Sequence, residues 1–135
     1  MIEKIEYLIL RHTDLMDMCT TCSKNMLRAA LAGKVDEADQ ESVNRDRLVN
    51  IISEVQTSIE NEIKATTLEN DAEYLVSLVK AWSNDIELWL HSVGKLDQEI
   101  LSALEDEKQK TTQEISSTFQ NKEKIKGYNL STVKK

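Results

Sequence analysis

Proline does not occur in this chain of 135 residues, and glycine occurs only three times, as Gly33, Gly94 and Gly127. Average usage near ~5% would give about seven prolines. Turns and hairpins lean on these two residues, so an all-β sandwich or barrel is almost excluded. A doubly wound α/β fold needs more tight connections and glycine-rich loops than three glycines supply. What remains is a few long helices, and the length suits one domain spanning residues 1–135.

Hydrophobic spacing divides the chain into three. Ile5, His12, Cys19 and Met26 recur every seven residues, and Leu8, Leu15, Cys22 and Ala29 do so offset by three. These are the two core positions of a heptad, and they predict a helix from about Glu3 to Leu31 with one apolar seam. Gly33 follows where a C-terminal glycine cap belongs. A second helix is expected to start at Asp36, whose carboxylate suits the free first-turn N–H groups. Its seam is Leu48, Ile52, Val55, Ile59 and Ile63, and Ala65-Thr66-Thr67-Leu68 should hold the next turn. Asn70 and Glu73 fit a capping box for a third helix. Its stripe reads Leu75, Val79, Trp82, Ile86, Leu90, Val93, Asp97, Ile100 and Leu104, with no change of phase across Gly94, so one helix should run through that glycine.

After Leu104 the sequence stays helix-permissive but loses its apolar face; Ile115 and Phe119 resume it weakly, and Gly127 is expected to end it. A helix from 71 to 126 is about 84 Å long, against about 44 Å for each of the first two. The third must overhang its partners. The fold class is therefore all-α: an antiparallel three-helix bundle with a long third helix and an extended C-terminal arm. The core spans about 3–104, and the arm and tail about 105–135.

Charge is unevenly distributed. Residues 1–34 sum to +1, 35–70 to −6, 71–107 to −7 and 108–135 to +5, giving −7 in all. The basic tail (Lys122, Lys124, Lys126, Lys134, Lys135) either folds back on the acidic body, reaches an acidic partner, or keeps the end soluble. Net acidity argues against nucleic acid. No apolar run approaches the ~18–20 residues of a membrane span, so no membrane insertion is expected. Met1 to Glu6 is mixed in charge, unlike a signal peptide, and the expected compartment is the cytoplasm.

Few residues point to chemistry. Cys19-Thr20-Thr21-Cys22 has the C-x-x-C spacing of redox motifs, but both cysteines fall on the seam, where cysteine acts as a small hydrophobe. His12, Cys19 and Cys22 share a face, one ligand short of a structural zinc site. His91-Ser92-Val93-Gly94-Lys95 resembles the reactive-histidine segment of histidine phosphotransfer domains, with Gly and Lys in reverse order, and His91 falls on the polar face. Trp82 and Trp89, seven apart, either fill the core or line a partner groove. No nucleophile–base pair, phosphate loop or clustered carboxylate pair is evident, so neither an enzyme nor a cofactor is expected.

Several stretches together resemble the FliT-type flagellar export chaperones. Gly33-Lys34-Val35-Asp36 and Arg45-Asp46-Arg47-Leu48 look like that family's first turn and the opening of its second helix. Leu96-Asp97-Gln98-Glu99-Ile100 and Leu104-Glu105-Asp106-Glu107 are similar to its third helix, and Lys122, Lys124 and Gly127-Tyr128 to its basic, tyrosine-tipped tail. The region from about Ile63 to Ser92 is longer than the family usually has. The resemblance implies a cytoplasmic, non-enzymatic chaperone that holds a flagellar substrate, the filament-cap protein above all, and hands it to the export apparatus. It implies a groove between helices two and three that takes a helical segment of the client. The residues assigned to partner binding are Trp82, Trp89, Ile100, Leu104, Ile125, Tyr128 and Leu130, with Tyr128 carried over from the family's tail. A homodimer is compatible with this reading. The alternatives are a histidine phosphotransfer domain using His91, or a generic coiled-coil adaptor.

Overall fold

The structure is a computed structural model that describes residues 2–67 and 71–133, with side chains described up to residue 120. It has three helices, α1 (Ile2–Leu31), α2 (Val35–Ala65) and α3 (Ala72–Val133), and no strand among the described residues. With 62 residues, α3 is about 93 Å long, twice α1 and α2 at 30 and 31 residues. The arrangement is a three-helix bundle with a long third helix. α2 runs antiparallel to its neighbours. α1 and α3 run parallel, since Glu6 meets Tyr74, His12 meets Trp82 and Met16 meets Trp89.

α1 is the central element. Its first heptad column, Ile5, His12, Cys19 and Met26, is buried throughout. A third column, unexpected from the sequence, is buried beside the two heptad columns: Met16, Ser23 and Ala30, with Ile9 half-buried. The cause is geometric. α1 packs against both other helices, whereas α2 and α3 hardly approach each other. A helix with partners on two sides needs a wider buried stripe than a two-stranded seam provides.

On α2 the buried residues Ile52, Val55 and Ile59 are those expected, flanked by half-buried Leu48 and Ile63. On α3 the buried and half-buried line is Leu75, Val79, Trp82, Ile86, Trp89, Val93, Leu96, Ile100, Ala103 and Glu107, in strictly alternating steps of four and three. That is a 3.5-residue period, the signature of left-handed supercoiling. Extending a straight 3.6-residue helix had placed Leu90 on the stripe; the supercoil turns it outward, and it is 57% exposed. The central cluster joins Leu15, Met16, Cys19, Ile52, Val55, Ile59 and Trp82 from all three helices. Burying each large side chain in it contributes about 1.5–3 kcal/mol.

The α1–α2 turn is a Schellman motif. Gly33 has φ +72°, the Lys34 N–H donates to Ala29 O at 2.9 Å, and the Gly33 N–H donates to Ala30 O at 3.2 Å. The chain re-enters a helix at once, so Lys34 occupies the N-cap position without a side-chain cap bond. Asp36 therefore stands inside the first turn of α2 instead of capping it, where it still complements the helix dipole. α2 ends as expected, with Thr66 extended and its N–H donating to Ile63 O. At the start of α3, Asp71 O accepts the first helical bond from Leu75 N, which puts Asp71 at the cap; Asn70 lies outside the described residues.

α3 passes through Gly94 unbroken. It also passes through Gly127, which does not end it, and runs on to Val133. A helix without a break carries the arm onward, not back over the bundle. Glu107, whose carboxylate lies over Gly33, is the last half-buried residue, and every side chain from Lys108 to Gln120 is exposed. The arm of residues 108–133 is about 39 Å long.

Candidate functional site

The two tryptophans hang on α1 by their indole N–H groups. Trp82 is 5% exposed, and its Nε1 donates to His12 Nδ1 at 3.2 Å, the rings meeting edge-on. His12 itself is 1% exposed, and its Nε2 has no partner. Burial pushes the His12 pKa below its ordinary value. Accepting from Trp82 also requires an unprotonated Nδ1, so geometry and desolvation both favour the neutral ring. Trp89, half-buried, donates through Nε1 to Met16 O at 3.0 Å, a carbonyl that also accepts from Thr20 Oγ1.

Of the other residues assigned to partner binding, Ile100 is 4% exposed in the core and Leu104 is half-buried. Trp82 and Ile100 thus form the inner lining against α1 and present no free surface in the closed bundle. Ile125, Tyr128 and Leu130 lie on the α3 backbone beyond residue 120, where their side chains are outside the described part.

A polar layer went unnoticed in the sequence. Arg45 lies seven residues after Ala38 and seven before Ile52, both buried, so it occupies a seam position. Its Nη1 donates to Asp97 Oδ1 and to Ser23 Oγ, tying α2 to α3 and α1. A charged residue at seam spacing demands a partner, and that spacing was the available signal. Asp97 is 42% exposed, so the pair contributes little to stability, about 0–1 kcal/mol; fixing the register of α2 against α3 is its larger effect. Nearby, burial raises the pKa of both cysteines, with Arg45 opposing the rise and Glu41 adding to it at Cys22. Neither thiol is tuned as a nucleophile. Among the described residues, no three His, Cys, Asp or Glu side chains gather as metal ligands would.

The gap between α2 and α3 is the feature that invites a ligand. Asp97 faces α2 through Arg45. Leu90, seven before it, Leu101, four after it, and Val76, a further two heptads before Leu90, continue the same line along α3. They are 57%, 67% and 52% exposed. On α2, Val49 follows Arg45 by one turn on the side facing the gap and is 42% exposed. Below them lie the half-buried Val79, Ile86 and Val93. α1 touching both neighbours while those neighbours stay apart is the layout of a four-helix bundle with one corner vacant. Such a corner can take one amphipathic helix.

His91 is exposed on the solvent side of α3, one residue past Leu90, and Gly94 one turn on leaves open space where a Cβ would stand. No family model matches this chain, and no curated protein or solved structure matches it.

Proposed function

We propose that the protein is a helix-binding chaperone of the flagellar export kind, holding a helical segment of a substrate, the filament-cap protein first, for delivery to the export apparatus from the cytoplasm. The observation that carries the helix-binding part is the vacant corner between α2 and α3, flanked by Val49, Val76, Leu90 and Leu101. The flagellar part rests on the sequence stretches quoted above. No helix among the described residues is long and apolar enough to cross a membrane. The chaperone role asks for no catalytic group or cofactor. An apolar client segment would trade water for the corner, and release would follow when another partner offers more burial.

Purified protein mixed with the filament-cap protein should elute as a complex in size-exclusion chromatography, and Leu90→Asp with Leu101→Asp should abolish it. Absence of a complex removes the flagellar assignment. The exposure of His91 beside the open Gly94 face sustains histidine phosphotransfer as a second reading, because a receiver domain needs such access. Acid-labile phosphate on His91 after incubation with an acyl phosphate would put that reading first, and His91→Gln should leave client binding intact if the chaperone reading holds.

A further inference from the structure

We infer that the vacant corner selects a helix about 30 residues long whose polar face is basic. The inference rests on the helix-binding reading and adds the chemistry of the partner. Length follows from α2, whose 31 residues set the extent over which both walls exist, about 46 Å.

Charge follows from which helices form the walls. α2 and the bundle half of α3 (residues 35–65 and 72–107) carry sixteen acidic and five basic side chains, whereas residues 1–34, which supply α1, sum to +1. α1 is the helix diagonal to the vacant corner, so the acidic pair are the neighbours of an incoming helix. Arg45 and Asp97 neutralise each other, which leaves the excess of acid unchanged. Asp46 on α2, and Glu87 and Glu105 on α3, are exposed within one turn of the residues that line the gap. The exposed Lys64 and Lys80 lie toward the end where α2 hands over to α3. A fourth helix thus meets a floor that is apolar except where the Arg45–Asp97 pair crosses it, set between two acidic rims. A basic polar face complements them, and an acidic face meets like charge on both sides.

Two labelled synthetic helices of about 28 residues, identical in their leucine face and carrying lysine or glutamate on the polar face, test this against the full chain by fluorescence anisotropy. The lysine-faced helix should bind at least ~10-fold more tightly, with the preference shrinking as salt is added. Leu90→Asp with Leu101→Asp should weaken its binding at least ~10-fold, while Leu10→Asp, on the far side of α1, should not. Glu87→Lys with Glu105→Lys should erase the preference and retain binding. Equal binding of both helices, still lost in the leucine variants, overturns the charge rule and leaves the helix-binding reading standing. No binding of either helix, or equal damage from Leu10→Asp, overturns the helix-binding reading itself. The chain's own basic arm, supplied by a second copy, obeys the same charge rule. If light scattering finds a concentration-dependent dimer that disappears when residues from Lys108 onward are removed, the occupant is that arm and the proposed foreign helix is overturned.

Discussion

α3 is one helix with two different lives. From Ala72 to Glu107 it is supercoiled against α1 on an unbroken four-three seam; from Lys108 to Gln120 every side chain is exposed. Backbone hydrogen bonding is the same in both halves, so helical geometry alone does not separate them. Side-chain burial does. Ile59 and Trp82 in the central cluster are 0% and 5% exposed, whereas Ile115 and Phe119 on the arm are 64% and 65% exposed. Tertiary packing stabilises the first half, and propensity alone must hold the second.

The largest expected effect tests that contrast directly. Ile59→Ala should cost about 2–5 kcal/mol and Trp82→Ala about 3–5 kcal/mol in urea unfolding, through lost transfer energy and the cavity left behind. Phe119→Ala should stay within about 0.5 kcal/mol of the parent. A comparable loss at Phe119 would mean that the arm is packed and that the division at Glu107 is misplaced.

The His12–Trp82 pair sharpens what the packed half depends on. Its folded pKa is lowered, so the unfolded chain binds the extra proton more readily. Stability from this site is complete above the unfolded value near ~6.5 and falls as pH drops below it. His12→Leu alone should cost about 1–3 kcal/mol at pH 7, because it strands the buried Trp82 N–H. His12→Leu with Trp82→Phe removes both polar partners and should recover part of that loss while flattening the pH dependence between about 7 and 5. Melting curves across that range decide it. A double variant as pH-sensitive as the parent would show that another group titrates.

The seam explains which parts were readable from sequence. Every residue of the first α1 column was legible because a seven-residue repeat is visible without knowing the partner. Met16, Ser23 and Ala30 were not, because a third buried column exists only once α1 has helices on two sides; the small residues Ser23 and Ala30 were its faint trace. Leu90 was misplaced because supercoiling changes the period from 3.6 to 3.5, a shift that accumulates over turns; the seven-residue step from Trp82 to Trp89 already carried the correct period. Within the candidate site, Trp82 and Ile100 were placed on the apolar stripe, where filling the core and lining a partner groove were both open, and burial decides for the core. Arg45 was missed because its pairing with Asp97 spans two helices. The vacant corner depends on relative helix placement, which no local pattern encodes.

A smaller effect comes from the backbone of the packed half. Gly94 lies mid-helix, and a Cβ there meets nothing within 4 Å. Gly94→Ala should therefore raise stability by about 0.5–1 kcal/mol by reducing the freedom of the unfolded chain, read as a higher urea midpoint. The gain requires bundle and helix to unfold together at that position. No gain would indicate that α3 already frays near Gly94 and that the packed half is shorter than Glu107 implies.

The smallest effect on stability, and the most telling, is expected from removing the arm. Residues 108–133 make up about a fifth of the helical residues, yet no described side chain from Lys108 onward is buried. A helix of this length without packing is marginal in water and should melt gradually, since it lacks a tertiary nucleus to make it cooperative. The full chain should show a sloping loss of 222 nm ellipticity before its main transition. A chain ending at Glu107 should lack that slope and keep the same main melting temperature. The two quantities separate because ellipticity counts helical residues while the transition reports the cooperative core. If truncation lowers the melting temperature by several degrees, the arm contributes buried surface, in the monomer or between copies. Repeating the melt over a range of protein concentrations distinguishes these cases, because only contacts between copies make the loss depend on concentration.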